Sequence, residues 1–176
     1  MPEELRLIEA FPDATAAAAA LRAADLTVAV GESCTGGLVG AALTAVPGAS
    51  DYMRGGVVAY TDVAKSDVLG VSRHLIARFG AVSEAVARAM AGGARERFHA
   101  DIGLGVTGIA GPSGGSAGKP VGLIFVCAVS SAGAWCDGLE GDHGREENRN
   151  RAVRASLRLC ISAATAAAGA PHPPPE

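Results

Sequence analysis

The stretch Gly31-Glu32-Ser33-Cys34-Thr35-Gly36-Gly37 joins two apolar segments of different character. Residues 26–30 are short, apolar and rich in β-branched side chains, which predicts a buried strand. Residues 38–46 are apolar and alanine-rich and stop at Pro47-Gly48, which predicts a helix. The residues between them therefore form a tight strand-to-helix turn, which we name the Ser33 turn.

The Ser33 turn can aim a side chain and several backbone N–H groups at one point. The first N–H groups of a helix have no partner inside it, and the helix dipole adds partial positive charge there. Ser33 is therefore a candidate nucleophile. On the local pattern alone, Ser33 or Thr35 is more simply explained as an N-cap of the helix. Cys34 is a rival nucleophile, because the turn is expected to lower the pKa of its thiol.

The composition is that of one globular domain. Of 176 residues, 49% are hydrophobic, 19% are charged and 24 residues are glycine, which favours helices packed close to a sheet. A net charge of −3 argues against a general nucleic-acid-binding protein, which needs a basic surface. No apolar run approaches the roughly 20 residues of a bilayer span, and no signal peptide opens the chain. We therefore expect a cytoplasmic protein that does not contact a membrane.

The four cysteines show neither the spacing of a zinc site nor that of a disulfide framework. Cys127 lies in an apolar run and Cys160 in a helical one, so both are predicted to be small core residues. The histidines also lack metal-ligand spacing. We therefore expect no metal and no cofactor.

The order of predicted elements indicates one domain over residues 1–170 and a proline-rich tail over 171–176 that is expected to be disordered. After the first strand, strands are predicted at 55–60, 101–106, 121–129 and 134–139, the last two as an antiparallel hairpin. Helices are predicted at 14–24, 38–46, 63–69, 73–79, 84–98 and 146–168. This alternation predicts an α/β fold, a three-layer α/β/α sandwich with a mixed, mostly parallel sheet.

Three loops follow predicted strands: the Ser33 turn, residues 60–65 and residues 107–120. Ligands bind beyond the carboxyl ends of strands in open α/β sheets, so Ser33, Lys65 and Thr107 are expected to meet there. Residues 107–120, the glycine-rich loop, are too long for a simple turn, which marks a candidate functional loop. Its backbone N–H groups suit a phosphate or a developing oxyanion, although the loop has no Walker A sequence.

A serine hydroxyl needs a group that takes its proton, and Lys65 is the candidate. None of the four histidines lies in these loops. A lysine can act as a base when burial lowers its pKa, here among Val57, Val58 and Val63. From spacing alone, a solvated helix lysine is the simpler interpretation, and a point charge for a phosphate is another.

With these loops in view, the chain resembles the CinA C-terminal domain family, whose enzymatic members are nicotinamide-nucleotide amidohydrolases of the PncC type. The resembling segments, which span residues 32–122, are Glu32-Ser-Cys-Thr-Gly-Gly37, Tyr52-Met-Arg-Gly-Gly-Val-Val-Ala-Tyr60 running into Lys65, Gly80-Ala-Val-Ser-Glu84, Val106-Thr-Gly-Ile-Ala-Gly-Pro112 with Gly114-Gly115, and Lys119-Pro-Val-Gly122. The resemblance implies a three-layer α/β/α fold. It also implies hydrolysis of nicotinamide mononucleotide to nicotinate mononucleotide and ammonia, a reaction of NAD salvage.

The resemblance further implies roles for individual residues. Ser33 matches the proposed nucleophile and Lys65 the proposed base, and Tyr60 and Thr107 match other positions of the catalytic pocket. The implied substrate-binding residues are Glu32, Cys34, Thr35, Gly36, Gly37, Gly108, Ile109, Ala110, Gly111 and Arg145. Two departures stand out: Asp62 replaces the usual Asn, and Gly141-Asp-His-Gly-Arg145 replaces Gly-Asp-Arg, as though two residues were inserted.

The resemblance implies a pyridine-nucleotide substrate and a homodimer, in a stand-alone chain without the N-terminal pyrophosphatase-like domain of some members. Two other hypotheses stay open. One is a nucleotide-binding or regulatory domain that does no chemistry, and the other is a Ser–Lys amidase for another small amide. Intact Ser33 and Lys65 favour catalysis, because binding alone needs neither a nucleophile nor a base.

Overall fold

A computed structural model describes residues 7–169 and contains one five-stranded sheet. Its strands are β1 (Val28–Glu32), β2 (Met53–Val58), β3 (Ile102–Gly108), β4 (Ile124–Ser130) and β5 (Gly133–Leu139), in the spatial order β2-β1-β3-β4-β5. β1 is parallel to β2 and to β3, whereas β4 is antiparallel to β3 and to β5. Four of the five strands therefore point the same way, and the predicted mixed α/β sheet is confirmed.

Helices cover both faces of this sheet. They are α1 (Leu7–Ala10), α2 (Asp13–Ala23), α3 (Leu38–Thr44), α4 (Asp62–Leu69), α5 (Arg73–Phe79), α6 (Glu84–Arg97) and α7 (Arg145–Ala168), with a 3₁₀ turn at Ala49–Asp51. α6 packs on one face with α4 and α5 beside it, and α2, α3 and α7 pack on the other. The three-layer sandwich is thus confirmed. None of the helices in the described residues is both long and apolar enough to cross a bilayer.

α6 approaches β3 so closely that the strand needs glycine at the contact. A Cβ at Gly103 would overlap the backbone carbonyl of Ala91, and a Cβ at Gly105 would overlap that of Ala87. The small side chains that dominate the composition therefore bring helix and sheet into direct backbone contact, as predicted. This close packing fixes the carboxyl end of β3, where one of the predicted functional loops begins.

The predicted elements are present with shifted boundaries. β1 continues to Glu32 because that residue and Gly31 still pair with β2. Thr61 and Ser83 occupy the N-cap positions of α4 and α6, and their side chains accept hydrogen bonds from the backbone of those helices. α1 is an additional helix that the sequence did not predict. The predicted tail over 171–176 lies outside the described residues.

Cys127 and Cys136 form a disulfide, so the expectation of none was wrong. The two residues are partners across the β4–β5 hairpin, with Cα atoms 4.1 Å apart. A spacing of nine residues does not by itself indicate a disulfide, but the register of the hairpin places the two cysteines opposite each other. Counting outward from the turn pair Ser130–Gly133 leads directly to this pair. Cys160 is buried, as predicted.

Candidate active site

The Ser33 turn and the glycine-rich loop leave the carboxyl ends of two adjacent parallel strands, β1 and β3. From β1 the chain continues to β2 on one side, and from β3 to β4 on the other, so the two connections diverge around a crevice. A cavity of about 300 Å³ lies there and is also bordered by residues that follow β2. The predicted convergence of the three loops is therefore confirmed.

Ten of the predicted site residues line this cavity: Ser33, Cys34, Tyr60, Lys65, Thr107, Gly108, Ile109, Ala110, Gly111 and Arg145. Asp62, the residue that departs from the family pattern, lines it too. The structure does not bring Glu32, Thr35, Gly36 and Gly37 to the cavity wall. These four residues build the turn behind Ser33.

Glu32 holds the N-terminus of α3 instead of facing a ligand. Its buried carboxylate accepts hydrogen bonds from the backbone N–H groups of Gly37, Val39 and Gly40 at 3.0, 3.1 and 2.8 Å. The unpaired N–H groups and positive dipole of a helix N-terminus attract such a carboxylate. The N-cap position itself is Gly37, without a side-chain capping bond. Neither Ser33 nor Thr35 is therefore the cap, and the Ser33 hydroxyl is free for another partner.

Lys65 is that partner. Its Nζ donates to Ser33 Oγ at 3.2 Å and to the carbonyl oxygen of Ala59 at 3.1 Å. Lys65 is 2% exposed, so the solvated helix lysine favoured by spacing alone is excluded. The prediction that Val57, Val58 and Val63 surround Lys65 is only partly right, because Val58 and Val63 are 48% and 61% exposed. The base candidate thus lies within hydrogen-bonding distance of the nucleophile candidate.

Burial lowers the pKa of Lys65 below the usual lysine value, since removal from water disfavours the charged ammonium. The carboxylate of Asp62 acts in the opposite direction and raises this pKa. Asp62 is the first residue of α4, and Lys65 lies one turn later on the same helix. The departure from the usual Asn therefore changes the electrostatics of the base candidate.

Cys34 is unsuited to the nucleophile role. Burial raises the pKa of its thiol to about 12, and the Glu32 carboxylate adds to this rise. The expectation that the turn would lower the pKa was wrong, because desolvation dominates and Glu32 already neutralises the positive end of α3. At neutral pH the group remains a thiol, which is a poor nucleophile.

Arg145, the first residue of α7, reaches the cavity despite the altered spacing before it. Its Nη1 donates to the carbonyl oxygen of Gly111 at 2.7 Å, and its Nη2 donates to the Tyr60 hydroxyl at 3.3 Å. The guanidinium therefore bridges the loop after β2 and the glycine-rich loop. It places a permanent positive charge at the cavity wall.

Thr107 is 1% exposed, and its hydroxyl donates to the carbonyl oxygen of Ala81 at 2.9 Å. Ala81 belongs to the connection between α5 and α6 and also lines the cavity. This hydrogen bond joins β3 to a neighbouring wall. A catalytic role for Thr107 stays a prediction.

Two polar residues of α7 support the site and were missed by the sequence analysis. Arg149 Nη2 donates to the carbonyl oxygen of Thr35 at 2.8 Å, which braces the Ser33 turn. Asn148 is fully buried, and its Nδ2 donates to the carbonyl oxygen of Ala110 at 3.1 Å and to Asp142 Oδ1 at 2.9 Å. Asn148 lies in the same helical stripe as the buried Ala152 and Ala155, and a polar residue in that stripe is a signal that the sequence offered.

Among residues 7–169, no group of three His, Cys, Asp or Glu side chains is placed to hold a metal ion. The polar side chains that line the cavity instead carry three hydroxyls, a thiol, an amine, a guanidinium, a phenol and one carboxylate. Together they can position a polar organic molecule and exchange a proton with it.

The fold and the site define a class of protein: an α/β domain with a buried serine–lysine pair at the crevice where the connections from β1 and β3 diverge. The chain belongs to the CinA C-terminal domain family, whose model matches residues 12–164. A CinA-like protein from Gemmatimonas aurantiaca is 59% identical over 102 residues, which are 58% of this chain and 24% of that protein. A CinA-like protein from a Synechococcus species is 52% identical over 150 residues, or 82% of this chain and 36% of that protein. The chain thus spans about a quarter to a third of these relatives.

Solved structures agree with this assignment. The competence/damage inducible protein CihA from Agrobacterium tumefaciens has a TM-score of 0.85 and 41% identity, covering 93% of this chain and 99% of that one. A CinA superfamily protein from Escherichia coli has a TM-score of 0.81 and 34% identity, covering 85% of this chain and 87% of that one.

Proposed function

We propose that the chain is an amidohydrolase that deamidates nicotinamide mononucleotide, with Ser33 as the nucleophile and Lys65 as the base. The observation that carries the proposal is the 3.2 Å contact between Lys65 Nζ and Ser33 Oγ at an open cavity. Burial lowers the pKa of Lys65 and so favours the neutral amine that a serine nucleophile needs. The substrate itself is taken from the family resemblance.

The proposed reaction has two steps, the acylation of Ser33 and the hydrolysis of the acyl-serine. The Ser33 hydroxyl donates its proton to the neutral Lys65 amine as Oγ attacks the carboxamide carbon. The carbon–nitrogen bond then breaks, and the lysine ammonium returns the proton to the leaving nitrogen, which departs as ammonia. Water attacks the acyl-serine with the same proton transfers, which releases the carboxylate product and restores Ser33.

The other cavity residues fit the rest of a nucleotide. Arg145 offers a guanidinium to the substrate phosphate, and its 3.3 Å hydrogen bond to the Tyr60 hydroxyl is long enough to be exchanged for a phosphate oxygen. The glycine-rich loop adds a wall from Gly108 to Gly111 in which Ile109 is the one large side chain. Homodimer formation and a cytoplasmic location stay predictions from the resemblance and the composition.

The test is ammonia release from nicotinamide mononucleotide, nicotinamide riboside and free nicotinamide, with the Ser33→Ala variant beside the wild-type chain. We expect release from the mononucleotide, reduced at least about a thousandfold in Ser33→Ala. Ser162→Ala, an exposed serine of α7, is the matched control and should keep full activity. Activity should survive EDTA, because a serine and a lysine need no ion.

Four outcomes contradict the proposal. Normal turnover in a folded Ser33→Ala variant removes Ser33 from the mechanism. Tight binding of the mononucleotide without ammonia release favours the non-catalytic domain. Release from a different amide alone favours another amidase. Activity that disappears with EDTA and returns with a divalent ion excludes a mechanism of serine and lysine alone.

A further inference from the structure

Residues 79–82, which are the last residue of α5 and the first three residues of its connection to α6, form a wall of the cavity that we name the wall segment. Ala81 and Val82 line the cavity. Lys119, from the far end of the glycine-rich loop, reaches this segment with its ammonium group. Its Nζ donates to the carbonyl oxygens of Phe79 and Val82 at 2.6 and 2.7 Å. One cation thus holds both ends of the wall segment.

The carbonyls between these ends are held as well. The Gly80 carbonyl accepts from Ser83 Oγ at 3.0 Å, and the Ala81 carbonyl accepts from Thr107 Oγ1 at 2.9 Å. All four consecutive carbonyls of the wall segment therefore accept hydrogen bonds from side chains. A connection between two helices needs such partners where its carbonyls are not used by a helix or a sheet. Among these donors, Lys119 is the one that carries a charge.

Lys119 is itself fixed in the loop. Its N–H donates to the carbonyl oxygen of Ser116 at 3.1 Å, and the Ser116 N–H donates back to the Lys119 carbonyl at 2.8 Å. Earlier in the same loop, Ser113 and Gly114 line the cavity. The Lys119 ammonium therefore ties one wall of the cavity to another.

Gly80 leaves the space that the ammonium occupies. A Cβ at Gly80 would collide with Lys119 Nζ, and the residue has a φ of +78° that favours glycine in its own right. Within residues 7–169, Lys119 forms no ion pair with a carboxylate, so its charge is directed at the two carbonyls. Hydrogen bonds from a charged donor to carbonyls are stronger than those between neutral groups.

We propose that Lys119 is a positioning residue that sets the width of the active-site cavity by holding the wall segment against the glycine-rich loop. Its effect on substrate rests on the proposed function. The residue does not line the cavity, and its donors are engaged by protein carbonyls, so it acts through the walls rather than on the substrate. Ser33 and Lys65 lie on other elements, and the hydrogen bonds of Lys65 involve neither Lys119 nor the wall segment.

The kinetic test compares Lys119→Ala with wild type on nicotinamide mononucleotide. We expect KM to rise about tenfold while kcat stays within about twofold, because binding surface is lost and the reacting groups are not. The pH dependence of kcat should be unchanged, since it reports Lys65. Lys119→Arg keeps a charged donor and should recover part of the lost affinity. Arg88→Ala, which removes an exposed cation of α6, is the control.

A second measurement needs no turnover and therefore separates this inference from the proposed function. Amide hydrogen exchange at residues 80–83 should accelerate at least about tenfold in Lys119→Ala. Gly80→Ala should accelerate it too, and less so in the Lys119→Ala background, because the collision with Nζ is then absent. Direct binding of the mononucleotide to Ser33→Ala with and without Lys119→Ala gives the affinity when chemistry is blocked.

Unchanged exchange at residues 80–83 in a folded Lys119→Ala variant overturns the inference, whatever the activity. A fall in kcat at constant KM also overturns it, because that pattern places Lys119 in the chemical step. If Lys119→Ala does not fold, Lys119→Arg decides: affinity that is kept at least in part, together with slow exchange, supports the tie, and the loss of both contradicts it.

Discussion

The Ser33 turn and the glycine-rich loop face the same cavity from neighbouring strands, yet they are held in different ways. The Ser33 turn is stabilised by Glu32, whose partners lie five to eight residues further along the chain. The glycine-rich loop is held by residues far from it in sequence, such as Asn148, which is 38 residues from its partner Ala110. The turn that presents the nucleophile is thus held mainly by local hydrogen bonds, with one brace from the distant Arg149, and the loop opposite depends more on tertiary contacts.

This difference suits the chemistry proposed for the site. A nucleophile must be placed accurately, and local hydrogen bonds to a helix N-terminus do most of this, with Arg149 as the distant support. A wall that surrounds a ligand is assembled from several elements, so changes in any of them alter its shape. Substitutions in the Ser33 turn should therefore affect chemistry and stability, and those around the loop should affect mainly substrate binding.

Beyond Ser33→Ala, the largest expected effect is at Lys65. Lys65→Arg and Lys65→Ala should both reduce kcat by two to three orders of magnitude, roughly the contribution of a general base. Arginine cannot rescue the reaction because its guanidinium stays protonated. Steady-state kinetics on folded variants provide the measurement. A near-normal kcat for Lys65→Arg would show that Lys65 serves only as a charge.

The dependence of the rate on pH tests the same role of Lys65 as a base. The neutral amine is the base, so the rate should rise with pH through a pKa below the usual lysine value. Asp62 raises this pKa, so Asp62→Asn should shift the profile to lower pH. A shift in the opposite direction, or none, would contradict the electrostatic link between Asp62 and Lys65.

The next effect is on stability and concerns Glu32. Glu32→Ala leaves three backbone N–H groups without their acceptor and should cost about 2–4 kcal/mol of unfolding free energy. Glu32→Gln keeps one acceptor oxygen and should cost less. Urea denaturation measures both. A Glu32→Ala variant as stable as wild type would mean that α3 does not need this carboxylate.

Asn148→Ala should cost less, about 1–3 kcal/mol, because a neutral amide is lost instead of a carboxylate. Its kinetic effect should be a raised KM, since Ala110 lines the cavity and loses its donor. Asn148→Asp is the informative companion, because it removes the donor and sets a second carboxylate beside Asp142. If kcat fell and KM did not, the loop would belong to the chemistry rather than to binding.

The smallest expected effects are on stability and come from a glycine-to-alanine substitution made once in the Ser33 turn and once in the glycine-rich loop. Gly37 has a φ of +94°, so Gly37→Ala should cost about 1–2 kcal/mol although its Cβ has room. Gly118, in the glycine-rich loop, has no such φ, and a Cβ there would meet no atom within 4 Å. Gly118→Ala should therefore be neutral or stabilise by up to about 1 kcal/mol, by restricting the unfolded chain. Equal effects in thermal denaturation would contradict the distinction.

Much of this organisation was predictable. The strand, turn and helix around Ser33 follow from local apolar patterning, and the three-layer fold follows from the order of helices and strands. The meeting of Ser33, Lys65 and the glycine-rich loop follows from the rule that loops at the carboxyl ends of parallel strands converge. Glu32 was assigned to the substrate instead of to α3, because its residue type fits both roles and only the direction of its side chain separates them.

The sequence by itself determined which chemical groups come to the edge of the sheet, because the order of strands and loops along the chain depends on patterns within short stretches of sequence. The tertiary structure alone decided how those groups behave. The burial that lowers the pKa of Lys65 and raises that of Cys34 depends on packing between elements distant in sequence. The contacts of Asn148 and Lys119 with backbone carbonyls also depend on tertiary structure. Every residue has a backbone carbonyl, so the residue type does not indicate which carbonyl will accept a side-chain hydrogen bond.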